Sequence, residues 1–198
     1  SESVIEADNS SPIGLFGNQT STTRSLLQLR TDLDHHSTSG DPQAAIKVLR
    51  KMEELARERN KLDVFPDVFD HARVLNAFAK IGDGASAKAW LENEMLAAKV
   101  CPDLVCLNIV LGAYVKQGGA NQACELLEQM LLPSTTAIFK PNIVSFNHVL
   151  TACAKVGDQN AISYWLRKME EYGVDPNLVS YCCEKPEGEL QQDQPPCS

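Results

Sequence analysis

A proline followed by Asp or Asn returns along this chain at Pro66-Asp67, Pro102-Asp103, Pro141-Asn142 and Pro176-Asn177, and the residues between successive copies keep one internal order. Residues 143–177 form a 35-residue unit, residues 68–103 a 36-residue unit and residues 104–142 a 39-residue unit. Laid over one another, their columns agree. Val74-Leu75, Val110-Leu111 and Val149-Leu150 coincide, followed by Phe78, Tyr114 and Cys153, then by Lys80, Lys116 and Lys155. The turns Gly82-Asp83, Gly118-Gly119 and Gly157-Asp158 come next, and a second apolar stripe closes at Met95, Met130 and Met169. Self-similarity at this period describes a stack of equivalent units, each touching its neighbours, and argues against a globule built round one cleft.

Apolar residues fall three and four apart in both halves of each unit, which places them on one face of a helix. The Gly of each turn can take positive φ and end the first helix. Asp83 and Asp158 can cap the second, and the Pro near each unit's end stops it. One such hairpin cannot bury both of its apolar stripes, whereas stacked neighbours can. The expected fold is all-α, a right-handed α-solenoid of stacked helical hairpins. A degenerate unit precedes the clear ones: Gly40-Asp41 is followed by Ala45, Val48, Leu49 and Met52 in the second-helix columns. Its first helix is expected near residues 25–34, with Leu26, Leu29 and Leu33 on one face, interrupted by His35-His36 and Ser37-Thr38-Ser39. Its second helix is expected to run through Glu58. The expected organisation is an extended N-terminal tail over residues 1–25, the degenerate hairpin over 26–67, and repeats over 68–181 (68–103, 104–142, 143–177 and the start of a fourth). An extended acidic tail, too rich in Pro and carboxylates to bury an apolar face, is expected over 182–198.

The unit resembles the pentatricopeptide repeat, most plainly in residues 143–158 (Ile-Val-Ser-Phe-Asn-His-Val-Leu-Thr-Ala-Cys-Ala-Lys-Val-Gly-Asp) and in the ending Gly173-Val-Asp-Pro-Asn177. The tetratricopeptide repeat is a poorer match, because the 35-residue unit and the Pro-Asp/Asn ending favour the pentatricopeptide form. The resemblance implies an organellar protein, chloroplast ahead of mitochondrion, that binds single-stranded RNA at one base per unit. It implies base-reading pairs made of the fifth and last residues of a unit: Ala72 with Asp103, Asn108 with Asn142, and Asn147 with Asn177. The two Asn–Asn pairs match pyrimidine readers, while Ala72 departs from the pattern because it offers no hydrogen-bonding group. Val105 and Val144, second in their units, match the residues that sandwich bases, and Phe69 would stack in the same way. Lys80, Lys116 and Lys155 match a phosphate-contacting position on the concave face.

The charge balance weighs against RNA. Each bidentate base contact is worth about 1–3 kcal/mol, so two pairs select little. Phosphate contacts need a basic surface, yet the chain has net charge −8 and a pI near 5.0, and no segment is net basic. The aligned lysines also have a plainer reading, as solvated residues near a helix C-terminal dipole. The sequence therefore favours a non-catalytic interaction module, an accessory structural subunit docked by its tails and helix faces onto a larger organellar protein assembly, photosynthetic or mitochondrial. Small single-stranded-RNA binder is the alternative. Protein-contact candidates are Ile13, Leu15 and Phe16 in the polar N-terminal stretch, Phe69, and Tyr181 at the apolar end left by the incomplete fourth unit.

No nucleophile stands beside a base and no Gly-rich phosphate loop appears, so no catalytic residue, cofactor or metal site is expected. Seven Cys without Cys-x-x-Cys spacing read as reduced thiols, with Cys124 and Cys153 in core columns. Trp90 and Trp165 read as core between hairpins, and His71 and His148 as surface or packing residues. No apolar run is long enough to cross a bilayer, so direct membrane insertion is not expected. A chain that opens on Ser reads as a processed mature protein or a fragment.

Overall fold

The structure, a computed structural model, describes residues 17–59, 65–132 and 139–183, and the regular structure among them is helical. In chain order the helices are α1 (Gly17–Ser39), α2 (Pro42–Arg59), α3 (Val68–Ile81), α4 (Gly84–Ala89) continued by a π-helical segment (Trp90–Met95), α5 (Leu104–Gln117), α6 (Ala120–Leu131), α7 (Ile143–Val156), α8 (Gln159–Glu171) and α9 (Leu178–Cys182). The first helices α1, α3, α5, α7 and α9 lie side by side in one layer. The second helices α2, α4 and α6 each pack on their own partner and on the first helix of the next unit: α2 on α3, α4 on α5, α6 on α7. This is the all-α solenoid that the repeat demanded. The predicted extended segments at residues 1–16 and 184–198 lie outside the described residues.

Local chemistry explains where each helix starts and stops. The residue after each signpost Pro is the N-cap of the next first helix. Asp67, Asp103, Asn142 and Asn177 have extended backbones, with φ of −98°, −115°, −118° and −110°. Their side chains accept the N–H of Asp70, Cys106, Ser145 and Ser180, one of the donors a helix start would otherwise leave unpaired. The first helices end on Gly82, Gly118 and Gly157 at φ of +74°, +82° and +73°, the left-handed cap that residues with a Cβ adopt at a cost. Asp83 and Asp158 cap the second helices through Ser86 and Ala161, as expected. Gly84 has a separate reason: a Cβ there would sit 2.4 Å from the Tyr114 ring, forcing adjacent hairpins apart.

The aligned columns are the core. Val74, Leu75, Val110, Leu111, Val149 and Leu150 are buried, as are Trp90, Trp165, Met95, Met130 and Met169. The Trp165 ring meets Phe146 edge-on at 6.3 Å, a favoured aromatic arrangement. Cys153 is buried, half-buried Cys124 lies 3.7 Å from it sulfur to sulfur, and all cysteines among the described residues are free thiols.

Two features depart from simple expectation. Helix α1 begins at Gly17 and runs unbroken to Ser39, so part of the stretch expected to be tail, and the expected interruption at His35–Ser39, are helical. The hydroxyls that compete with helix elsewhere here bond carbonyls of the helix itself, Thr31 to Leu27, Thr38 to Asp34 and Ser39 to His36. Burial of Leu29, Leu33 and Ser37 against the neighbouring unit then overrides a weak local propensity. The second departure concerns unit length. Met130 and Met169 lie twelve residues beyond Gly118 and Gly157, but Met95 lies thirteen beyond Gly82. The extra residue is absorbed as the π-helical segment Trp90–Met95, which leaves Met95 in its column and fully buried.

The fourth column of the first helix holds Leu107 and Phe146 in two units and His71 in another, all buried. Neither His71 ring nitrogen has a hydrogen-bond partner, and the ring packs beside Trp90 at 6.0 Å. Burial lowers its pKa. The unfolded chain therefore takes up the proton first as pH falls. The stability tied to this residue is full above its unfolded value of about 6.5 and is lost as pH drops through the lowered folded value. Replacing His71 by Phe, as unit three has it, is expected to raise stability at neutral pH by about 1–2 kcal/mol and to flatten the loss between about pH 7 and 5 in urea unfolding. Deleting exposed Asn93 should be tolerated, because it restores the regular twelve-residue spacing. Deleting Arg167 from α8 should cost more than about 2 kcal/mol by turning Met169 out of the core, and thermal unfolding of the two deletions compares them directly.

Candidate nucleic-acid interface

The first-helix layer carries a groove of about 570 Å³ that crosses α3, α5 and α7. Lys80 comes from the end of α3, Val105, Asn108 and Lys116 from α5, and Asn142, Val144 and His148 from the start of α7 and its cap. No carboxylate lines it. Phe69, Val105 and Val144 are 68%, 58% and 45% exposed and recur one unit apart, an unusual outward placement for apolar side chains in a regular register. His148 is half-buried, and burial lowers its pKa, so it is neutral near pH 7.

Around each unit boundary three side chains meet: the fifth residue of a unit, its last residue and the third residue of the next. At the second boundary Asn142 Oδ1 accepts the N–H groups of Val144 and Ser145 at 3.1 and 3.2 Å. The carbonyl of Asn142 is thus held by the helix start, and its NH₂ is left as the group on offer. Ser145 Oγ donates to Asn108 Oδ1 at 2.7 Å. At the third boundary Ser180 Oγ donates to Asn147 Oδ1 at 2.6 Å, Asn147 Nδ2 donates to Asn177 Oδ1 at 3.3 Å, and Asn177 Oδ1 also caps Ser180. Asn147 and Asn177 are thus in direct contact, while Asn108 and Asn142 are joined through the Ser145 hydroxyl. Asp103, capping Cys106 through one oxygen at 2.9 Å, keeps a second oxygen as an acceptor, while its partner Ala72 contributes nothing polar.

The degenerate hairpin holds an equivalent that the sequence reading missed. Gly40 precedes Gly82 by the same interval that separates Arg30 from Ala72, so Arg30 stands at the fifth position. Its guanidinium reaches Asp70 at 3.1 Å and Asp67 at 3.5 Å, and hydrogen bonding to Asp70 raises its pKa. Asp70 is fully buried and is shared with Arg73 at 3.3 Å, and Arg73 also pairs with Asp34. That position is closed by ion pairs.

The aligned lysines do more than sit in solvent. Lys116 Nζ donates to the carbonyl of Lys80, and Lys155 Nζ donates to the carbonyl of Val115 at 3.0 Å. Both carbonyls belong to the last turn of the preceding first helix, where a cation complements the dipole. Of the other candidates, Tyr181 is exposed on α9 beside exposed Leu178 and Val179, while Ile13, Leu15 and Phe16 lie outside the described residues.

Residues 105–132 match the PPR repeat and residues 137–183 the pentatricopeptide repeat domain. The chain belongs to the pentatricopeptide-repeat family. A mitochondrial pentatricopeptide repeat-containing protein of Arabidopsis thaliana is 28% identical over 122 residues, 61% of this chain and 12% of that protein. A chloroplastic one from the same plant is 27% identical over 131 residues, 66% of this chain and 16% of that protein. The chain thus spans a small part of the curated relatives it matches. The maize pentatricopeptide repeat protein PPR10, solved in complex with an 18-nt psaJ RNA element, superposes with a TM-score of 0.65 at 18% identity, covering 84% of this chain and 23% of that one. That likeness shows the pentatricopeptide solenoid fold.

These comparisons overturn the expectation of an accessory structural subunit docked onto a protein assembly. The matched proteins are pentatricopeptide repeat proteins, and the solved neighbour holds RNA. The physical error lay in using whole-chain charge as a measure of one surface. The net charge is −8, yet the groove contains two lysines and no acid. Replacing Lys155 by Ala should lower stability by about 1 kcal/mol in urea unfolding, the worth of a charged donor on a helix-terminal carbonyl.

Proposed function

We propose that this chain is a non-catalytic single-stranded-RNA-binding repeat array of an organellar pentatricopeptide-repeat protein. Its units at residues 104–142 and 143–177 read two consecutive pyrimidines through Asn108/Asn142 and Asn147/Asn177. The reading is carried by the acid-free groove, lined by the Asn108/Asn142 pair with both carbonyls tied down and NH₂ groups on offer, and by the recurrence of the same pairing one unit on, where Asn147 gives one of its NH₂ protons to Asn177. Donors seek acceptors, and a pyrimidine presents O2 in every case and, in cytosine, N3 beside it. Val105 and Val144 supply the flat apolar contacts between which bases stack, as Phe69 does one unit earlier. Lys80 and Lys116 add local positive charge on the groove wall, where phosphates pass. Unit 68–103 contributes stacking and little base selection, because Ala72 has no polar group, and the hairpin at 26–67 contributes none, because Arg30 is paired. The two relatives, one mitochondrial and one chloroplastic, support an organellar setting without choosing between the two.

Filter binding with short single-stranded pyrimidine RNA across a salt series tests this. Asn108→Ala combined with Asn147→Ala should weaken binding at least about tenfold, since each lost base contact is worth about 1–3 kcal/mol. The salt slope should stay unchanged, because phosphate contacts remain. An unaltered affinity, or no binding by the parent chain at low salt, defeats the reading.

A further inference from the structure

We infer that Ser145 and Ser180 are positioning residues for base selection, each setting which end of the preceding unit's fifth side chain faces the groove; this rests on the RNA-binding reading above. The third residue of each first helix answers the fifth residue of the unit before it. Asp70 meets Arg30, a carboxylate against a guanidinium. Ser145 meets Asn108 and Ser180 meets Asn147, a hydroxyl against a carboxamide. Where the fifth residue is Ala72, the third is Cys106, a poor donor. The chemistry of the two positions changes together along the chain.

The hydrogen bonding fixes the direction. Ser145 Oγ accepts the N–H of Asn142, and Ser180 Oγ the N–H of Asn177, both at 3.2 Å. Each hydroxyl keeps one proton; Asn142 Oδ1 at 3.3 Å and Asn177 Oδ1 at 3.1 Å are also within reach, but the carboxamide oxygens of Asn108 and Asn147 are nearer, at 2.7 and 2.6 Å, and take it. Those distances suit O–H···O bonds and are short for N–H···O. Both serines are fully buried, so water does not compete. A carboxamide turns freely about its last torsion; the buried hydroxyl removes that freedom. With the carbonyl held inward, the NH₂ points to the groove, and cytosine, whose O2 and N3 acceptors stand side by side, is preferred over adenine, whose N1 acceptor stands beside the N6 donor.

The fold itself supplies a safe variant. Cys106 occupies the same position, is buried, and sits under an intact Asp103 cap, so Ser145→Cys with Ser180→Cys removes the donor without removing the packing. The 198-residue chain is titrated with ten-nucleotide adenine strands that carry either two central cytosines or none. The parent should prefer the cytosine strand by about tenfold, and the double Cys variant by less than about threefold, with all-adenine affinity unchanged and the helical circular-dichroism spectrum retained at the temperature of the titration. Ser145→Thr with Ser180→Thr, which keeps the hydroxyl, should keep the preference. An undiminished preference in the Cys variant overturns the inference while leaving RNA binding intact. A second readout needs no RNA. In the free protein the Asn108 side-chain NH₂ protons should show NOEs to the groove-lining Val144 methyls. NOEs to the Ser145 β protons instead mean the opposite orientation and overturn the inference, whatever the RNA result. If the parent binds no RNA, the functional reading fails by itself.

Discussion

Each unit's last side chain, turned back onto the backbone of the next helix, is the contact from which the rest follows. Asp67, Asp103, Asn142 and Asn177 each accept the N–H three residues on, at 2.9 to 3.2 Å. That bond starts the first helix in a fixed register. In α3, α5 and α7 the second residue then faces out, the third is buried and the fourth enters the core. A cap therefore does two jobs with one side chain. Its oxygen satisfies an orphan helix donor, and what remains of the group is presented to the groove. With Asn the remainder is a donor, with Asp an acceptor. On the proposed RNA-binding reading, helix nucleation and base recognition share one side chain.

Charge behaves locally in such a molecule. A helix is about 10 Å across, and the Debye length at physiological salt is about 8 Å. Carboxylates on the second-helix layer are therefore largely screened from the first-helix groove. Four acids of that layer are also paired, Glu53 and Glu94 with Arg50, Glu92 with Lys88, and Glu171 with Arg167 and Lys168. A net charge of −8 thus coexists with a groove wall that carries lysine and amide and no acid. Summed over the chain, the charge argued for a protein partner; resolved by layer, it does not.

Much of the fold was readable because the repeat compares the chain with itself. The apolar columns, the Gly turns, the Asp caps of the second helices and the core roles of Trp90 and Trp165 all follow from periodicity. What escaped needed three dimensions. Helix α1 looked broken because hydroxyls and two His weaken local propensity, and only packing against α3 shows why it persists. The capping role of the signpost Asp and Asn was hidden because the adjacent Pro suggested only termination. Arg30 was invisible as a fifth-position residue because ion pairing, not similarity, marks it. Ser145 and Ser180 looked like ordinary polar residues; their partners lie 37 and 33 residues away in sequence.

Among the three units from residue 68 to residue 177, variation in length falls outside the first helices. The first helices α3, α5 and α7 are each 14 residues long, capped alike at both ends. The units differ only beyond them, one by a residue absorbed as a π-helical turn after α4, another by four residues in the connection that follows α6. Adding a residue to a first helix would rotate its later positions by about 100° and slide them by about 1.5 Å, displacing the lysine, the turn and the partner column together. Adding one to a second helix disturbs a single Met, which the π-turn restores to its place. From unit 68–103 to unit 143–177 the first-helix face therefore keeps one pattern of positions, and the irregularities in length fall outside it.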